Sequence, residues 1–255
     1  MPTYTVLTAG NPERYRELVN QMPRAEGPAF LEYDQTVAEY WPLLRETFPD
    51  NQFCLVDEQT GAAAGVGNCI PLAFEGDWAD LPPEGLDWVL SKGFADRNTG
   101  KAPNLVGALY IEVAETHRGM NLSAEMLRTM RGITRSQGFG QLIAPVRPSL
   151  KSRYPLIDIA TYLSWITPDG LPFDPWLRVH ARLGARVLHP CRRAMVVLGT
   201  REAWAEWAEM AFPGDGDYVI PYGLVPVQVR EGLGEYIEPG VWVLHEIPEQ
   251  DTGSL

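Results

Sequence analysis

The feature that most restricts the fold of this chain is a strand pattern that runs through a short polar turn into an amphipathic helix. Residues 105–113 are rich in Leu, Val, Ile and Tyr, which are enriched in β-strands. Apolar residues then recur at helical spacing from position 122 until Gly138. Residues 142–146 form another apolar strand pattern. This order predicts a right-handed crossover between two parallel or nearly parallel strands.

The flanking sequence supplies further strands and helices of a mixed fold. Gly61 lies in a turn segment between two apolar runs, which is typical of an antiparallel hairpin. Asp174 and Pro175 suit the cap and first position of a helix that Gly184 ends. The predicted strands are 4–7, 53–56, 62–70, 187–188, 194–198 and 241–244, and the predicted helices are 12–22, 37–48, 175–183 and 204–210. The chain therefore belongs to the α/β class, with a mixed, mostly antiparallel twisted sheet and helices on both faces.

Composition and charge exclude several classes of function. The 255 residues carry 21 basic and 33 acidic side chains, a formal net charge of −12 without a basic stripe, which disfavours nucleic acid as a partner. Three cysteines without a CxxC pair indicate buried thiols in a reducing compartment. No apolar run approaches a membrane span, and no HExxH or Cys/His cluster implies a metal. We expect a soluble, cytoplasmic protein that does not contact a membrane.

The turn at 118–123 has the composition of an anion-binding corner. Backbone amides at the start of a helix converge at the positive end of its dipole. Gly119 and Asn121 tolerate the left-handed backbone that such a corner needs, and Arg118 adds a positive charge. An ordinary strand-to-helix turn would have similar residue types, so both interpretations stay open at this point.

Residues 111–123 resemble the acetyl-CoA motif of the GCN5-related N-acetyltransferase family, in which an apolar strand leads into Arg/Gln-x-x-Gly-x-Gly/Ala. Arg118 matches the leading Arg, whereas Asn121 and Ser123 stand at the two family glycines. Residues 180–187 resemble the family's Tyr-Glu-Lys-Leu-Gly-Phe segment, with His180 at the Tyr position. The resemblance implies an acyl-CoA cosubstrate, acetyl-CoA by default, bound by Val113, Arg118, Gly119, Met120, Asn121, Leu122 and Ser123.

The resemblance also implies a chemistry, namely transfer of the acyl group to a small-molecule amine in a ternary complex. The backbone N–H near Val113 would hold the carbonyl oxygen, and His180 would protonate the leaving thiolate. Glu112 is the candidate base for the amine, with Glu115 as a weaker one. His180 as a packed core histidine, and Glu112 pointing away from the site, are the alternatives.

The resemblance covers about residues 1–200, which we predict to form one acyl-CoA-binding domain with insertions at 75–103 and 147–174. The insertions would shape the acceptor pocket. Cations and aromatics of the second, among them Arg147 and Lys151, could hold a carboxylate or a phosphate. Residues 201–255 form a C-terminal extension packed on the same domain, for which three roles stay open: completing the sheet, covering the acceptor site, or making a homodimer contact.

Two other functions fit the same residues. An acyl-CoA-binding module without catalysis would explain why Asn121, Ser123 and His180 depart from the family pattern. An acyltransferase with a longer acyl chain or a hydroxyl acceptor would use the same corner. An NAD-binding enzyme is disfavoured, because the turn lacks GxGxxG.

Overall fold

A nine-stranded sheet with eight helices makes up the part of the chain that the structure, a computed structural model, describes, namely residues 3–248. The strands are β1 (Tyr4–Thr8), β2 (Gln52–Asp57), β3 (Ala63–Leu72), β4 (Leu105–Val113), β5 (Gln141–Val146), β6 (Arg186–Thr200), β7 (Gly216–Tyr218), β8 (Val227–Arg230) and β9 (Leu233–Glu246). The helices are α1 (Pro12–Gln21), α2 (Gln35–Tyr40), α3 (Leu44–Thr47), α4 (Gly85–Thr99), α5 (Leu122–Ser136), α6 (Ile159–Leu163), α7 (Pro175–Arg182) and α8 (Arg201–Trp207).

The strands form one mixed sheet in the order β1-β2-β3-β4-β5-β9-β8-β7, with β6 paired to the free side of β9. Within the described residues, every neighbouring pair is antiparallel apart from β4 and β5. Helices α3 and α4 pack on one face, and α5 lies on the other. The predicted α/β class with a mostly antiparallel sheet is confirmed.

The two parallel strands separate soon after they begin. Only Val106 with Leu142 and Gly107 with Ile143 are in register between β4 and β5. On its other side, β4 shifts register with β3 between Ala108 and Tyr110, so that one extra residue bulges there. A β-bulge bends the strand that carries it. The second half of β4 therefore leaves β5, and a V-shaped opening lies between them.

The C-terminal part of the chain supplies a central strand of this sheet. The second half of β9 pairs with β5, its first half pairs with β8, and its other edge pairs with β6. Of the three roles predicted for residues 201–255, the structure therefore supports completion of the sheet. A cover over the acceptor site and a dimer contact stay predictions, and residues 249–255 lie outside the described part.

Two predicted elements differ from the structure in their boundaries. The helix predicted at 37–48 is divided into α2, a 3₁₀ turn at Trp41–Leu43 and α3. Pro42 lacks the N–H that a continuous α-helix needs, which explains the interruption. The two short strands predicted at 187–188 and 194–198 are one strand, β6, whose register with β9 shifts between Val187 and Pro190.

The segment predicted as an insertion over the core, residues 75–103, contributes to the core itself. Helix α4 buries Val89, Leu90 and Phe94 in the same cluster as Leu72 of β3. Burial of such side chains stabilises a fold by about 1.5–3 kcal/mol each. This segment is therefore part of the core, and its status as an insertion relative to the family stays a prediction.

Asp174 ties helix α7 to the segment that precedes it. Its side chain is buried and accepts hydrogen bonds from the backbone amides of Trp176 and Leu177 at the helix start. The same carboxylate accepts from the amide of Leu150 and from the hydroxyl of Tyr162. With the hydroxyl of Ser149 at 3.4 Å, one side chain accepts from five donors, and the predicted capping role of Asp174 is confirmed.

We predict that Asp174→Ala lowers the free energy of unfolding by about 3 kcal/mol or more, because it leaves buried donors without an acceptor. Urea unfolding monitored by tryptophan fluorescence measures this change. Asp158→Ala is the matched control, since Asp158 caps α6 at an exposed position, and we expect it to cost about 1 kcal/mol. Equal losses in the two variants would contradict the special role of Asp174.

Candidate active site

The corner between β4 and α5 has the backbone shape that its sequence predicts. Gly119 has a φ of 81° and Asn121 a φ of 59°, so both residues adopt the left-handed conformation. Asn is one of the few residues apart from Gly that tolerate this region. Asn121 can therefore replace the glycine of the family motif at a small conformational cost.

Several amides of this corner are free to bind a ligand. The N–H groups of Gly119, Asn121, Leu122 and Ser123 donate no hydrogen bond to any residue in the described range 3–248. They lie at the N-terminus of α5, a helix of 15 residues. Helix dipole and unpaired donors together favour an anion here. The first amides of any helix lack an intrahelical partner, so that anion binding at this corner stays a prediction.

A buried histidine fixes the corner to the neighbouring hairpin. His117 Nε2 lies 3.2 Å from Asp57 Oδ2, and its Nδ1 lies 3.0 Å from the hydroxyl of Thr116. The backbone amide of Gln59 and the imidazole of His117 hold the pKa of Asp57 below its usual range. Sequence reasoning missed this contact. The only available signal was the polar pair Thr116-His117 at the end of an apolar strand.

The backbone of Val113 faces the opening between β4 and β5. Ala114 donates its amide to Ala64 of β3 at 2.8 Å, and Val113 is in register with Gly65. Adjacent residues of an antiparallel strand direct their amides to opposite edges. The N–H of Val113 therefore points away from β3, towards the side from which β5 has diverged.

Glu112 lies on the face of β4 opposite to α5. Ile111 and Val113 pack under α5, so alternation places Glu112 and Tyr110 on the other face. The Glu112 carboxylate pairs with Arg24 at 2.6 Å and is mostly buried. The sequence left two orientations open, towards the acyl site or away from it. In the structure the Glu112 side chain faces the loop after α1. Its role as a base stays a prediction.

His180 is fully enclosed between α7 and the sheet. Its Nδ1 lies 2.9 Å from Nε2 of His245 in β9, and Trp176 packs edge-on against its ring at 4.5 Å. Burial and His245 bring the pKa of His180 well below its ordinary value, and burial lowers the pKa of His245 to about 4. Both imidazoles are therefore neutral at pH 7. The packing matches the core-histidine alternative, and the role as acid stays a prediction.

The chain is similar to a sequence relative and to solved structures along nearly its whole length. An arginine N-acetyltransferase, avaD of Aspergillus versicolor, is 28% identical over 96% of this chain and 95% of the relative. The loading GNATL domain of CurA from Lyngbya majuscula superimposes with a TM-score of 0.57, covering 96% of this chain and 98% of that structure at 15% identity. No known family profile matches the chain.

A second solved structure agrees with the first. The GphF GNAT-like decarboxylase in complex with isobutyryl-CoA has a TM-score of 0.53 and 15% identity, covering 96% of this chain and all of that structure. The chain has the GCN5-related N-acetyltransferase (GNAT) fold. The resemblance predicted from the two motifs is confirmed. At 15% identity the two structures establish the GNAT fold and do not establish an activity.

The cations predicted to serve the GNAT acceptor pocket from the segment 147–174 are engaged elsewhere. Arg147 pairs with Glu238 at 2.7 Å and donates to a backbone carbonyl, and Lys151 is fully buried between two carbonyl oxygens. A carboxylate or phosphate would have to displace these partners. In the structure both cations have internal partners, and a ligand-holding role for this segment stays a prediction.

A different set of residues forms a pocket on the Glu112 side of this GNAT sheet. The pocket has a volume of about 50 Å³ and lies between α1, α3 and strands β3 and β4. Its lining residues are Tyr15, Val19, Arg24, Trp41, Leu44, Arg45, Val66, Asn68 and Tyr110. Sequence analysis missed it, because its polar residues come from helices and a loop that carry no motif.

Neither a metal cluster nor a membrane span contributes to this site. Within residues 3–248, no group of three or more His, Cys, Asp or Glu side chains is placed to hold a metal ion. No helix in the same range has both the length and the apolar character needed to cross a bilayer. Cytoplasmic localisation stays a prediction.

We predict that this GNAT-fold protein loses stability as the pH falls below about 6.5. The unfolded chain binds protons at His180 and His245 near pH 6.5, whereas the native state binds them only at lower pH. The free energy of unfolding should then fall by about 1.4 kcal/mol per pH unit for each histidine, until about pH 4. Urea unfolding at pH 7.0, 6.0 and 5.0 measures this slope.

His245→Gln should reduce the slope by about half, since it removes one of the two groups. His189→Gln is the control, because His189 lies outside the pair, and it should leave the slope unchanged. A slope that is the same in all three proteins would contradict the assignment of the acid sensitivity to this pair.

Proposed function

We propose that this protein is an acyl-CoA-dependent N-acyltransferase that transfers an acyl group, acetyl by default, to a small-molecule amine. The observation that carries the proposal is the corner of β4 and α5, whose four unpaired amides lie beside the V-shaped opening. A diphosphate fits the corner because it carries negative charge and hydrogen-bond acceptors at its oxygens. The extended arm of the cofactor would then lie between β4 and β5.

The comparisons support the same class of reaction. The relative that aligns along the full chain is named as an arginine N-acetyltransferase. One structure of the same fold is described in complex with an acyl-CoA. An acyl thioester as donor and an amine as acceptor are therefore the default, and arginine is the first acceptor to test.

The proposed reaction is a direct transfer in a ternary complex. The amine nitrogen attacks the thioester carbonyl, the new C–N bond forms, and the C–S bond breaks to release the thiolate. The N–H of Val113 would stabilise the oxygen as it becomes negative. Glu112 would receive the proton of the amine, directly or through water, and its ion pair with Arg24 fixes its position.

As part of this proposal, Nε2–H of His180 would donate a hydrogen bond to the leaving thiolate, and the proton that the thiolate takes up would come from solvent. The Nε2 atom of His180 is buried and has no partner among the described residues. When His245 donates from Nε2 to Nδ1 of His180, the proton of His180 is on its own Nε2. A neutral imidazole of this kind donates a hydrogen bond without first becoming charged.

A binding module without catalysis is the second candidate function. The departures from the family motif at Ser123 and His180 favour it, and so does the enclosure of His180. Turnover separates the two candidates. Release of free thiol from acetyl-CoA that depends on an added amine supports the enzyme, whereas binding of acetyl-CoA without turnover across a broad panel of amines supports the module.

We predict that Arg118→Glu weakens acetyl-CoA binding by about 100-fold or more, because an attractive charge beside the diphosphate becomes repulsive. Arg118 is exposed and forms no ion pair within residues 3–248, so that the fold should tolerate the change. Isothermal titration calorimetry with acetyl-CoA measures the affinity. Arg14→Glu, an equal charge change on the exposed face of α1, should bind normally. Unchanged affinity in Arg118→Glu would count heavily against the proposed function.

We predict that Glu112→Gln lowers kcat by about 100-fold and leaves acetyl-CoA affinity unchanged, because only proton transfer from the amine depends on the carboxylate. Steady-state kinetics at saturating acetyl-CoA, together with calorimetry, separate the two quantities. Glu125→Gln, on the exposed face of α5, is the matched control. A normal kcat in Glu112→Gln would exclude Glu112 as the base and leave the cofactor site intact.

A further inference from the structure

A buried tyrosine hydroxyl in the pocket beside Glu112 has no partner. Tyr15 of α1 is only 1% exposed, and its hydroxyl forms no hydrogen bond with any residue in the described part of the chain. Buried polar groups are nearly always paired, and the residue that carries this hydroxyl lines a pocket, so that a group bound there would complete its hydrogen bonding. Burial raises the pKa of Tyr15 to about 12, although Arg45 opposes the rise. The hydroxyl is therefore available as a hydrogen-bond donor.

An arginine without an ion pair gives the same pocket a positive charge, and a second arginine there is paired with Glu112. The guanidinium of Arg45 lies 5.7 Å from the ring centre of Tyr15 and forms no ion pair with any carboxylate in residues 3–248. Arg24 lines the pocket as well and extends to Glu112. None of the lining residues is acidic, although the chain as a whole carries a charge of −12. A local positive charge in an acidic protein is the arrangement expected for binding an anion.

The size of the pocket limits that anion to a small group. A volume of about 50 Å³ holds a few water molecules or one carboxylate. Asn68 donates one amide hydrogen to Gln52 at 2.8 Å, whereas Tyr15 and Arg45 donate to no residue in the described range. Charge-assisted hydrogen bonds from a hydroxyl and a guanidinium suit a carboxylate.

We infer that this pocket binds the carboxylate of the acceptor, so that the acceptors are amino acids rather than simple amines. The inference rests on the proposed function and adds the substrate class to it. Tyr15 and Arg45 hold the carboxylate at one end of the acceptor. Arg24 of the same pocket pairs with Glu112, and Glu112 lies at the other end of the acceptor, beside the amine that reacts.

Amino acids and their decarboxylated partners test this inference directly. We choose L-arginine with agmatine, L-lysine with cadaverine, L-histidine with histamine, and L-tryptophan with tryptamine. Equilibrium binding is measured by calorimetry in the presence of saturating coenzyme A, and kcat/KM is measured with acetyl-CoA. For at least one pair, we expect the amino acid to bind about 10-fold to 100-fold more tightly, because charge-assisted hydrogen bonds to the carboxylate are lost in its partner.

Two variants link that preference to the pocket. Tyr15→Phe keeps the buried ring and removes the hydroxyl, and Arg45→Gln removes the free charge from an exposed position. Each should weaken binding of the preferred amino acid by about 10-fold and change binding of its decarboxylated partner by less than about threefold. Arg14→Gln is the matched control, and it should change neither.

The outcomes distinguish the inference from the proposed function. Equal affinity within all four pairs, including no binding by any compound, overturns the inference, and so does a preference that both variants retain. Acetylation of the simple amines would still support the proposed N-acyltransferase in that case. A carboxylate preference that depends on Tyr15 and Arg45, without turnover, would keep the inference and support the binding module instead.

Discussion

The short parallel contact between β4 and β5 is the constraint on which the candidate site depends. Two register pairs hold the strands together, and a bulge in β4 then turns the second half of that strand away. The second half of β4 consequently has no strand partner on the side of β5, and the proposed extended ligand would lie there. The divergence also sends β4 into the corner whose amides lie at the start of α5. A single backbone irregularity therefore positions both ends of the proposed cofactor site.

The two proposed anion positions use different positive groups, mainly backbone amides at the corner of β4 and α5 and arginine side chains at the pocket. The proposed diphosphate position uses amide groups and one exposed arginine, and so needs little basic sequence. The pocket on the other side of β4 uses two arginines from α3 and the loop after α1, one of which pairs with Glu112. In a chain with a net charge of −12, both proposed anion positions therefore rely on local groups and not on the charge of the whole protein.

Local sequence was enough to predict β4, the corner, α5 and β5, because each of these depends on periodicity and on residues such as Gly119 and Asn121 that favour one backbone region. Contacts between distant segments could not be obtained in this way. His117 meets Asp57 across 60 positions of sequence, and His180 meets His245 across 65. No pattern within one element identifies such a partner. For the same reason the pocket with Tyr15, Arg24 and Arg45 was missed. Arg147 and Lys151 were considered as ligand contacts, although in the structure they pair with a carboxylate and with backbone carbonyls.

The position of β9 has a consequence for how the chain acquires its structure. This strand comes last in sequence and yet lies between β5 and β6, and β6 has no other partner in the sheet among the described residues. During synthesis, β6 would leave the ribosome before the strand that pairs with it. Pairings between strands that are far apart in sequence slow folding, and unpaired strand edges favour aggregation. The nascent protein therefore exposes two unfinished edges, those of β5 and β6, until β9 has been made.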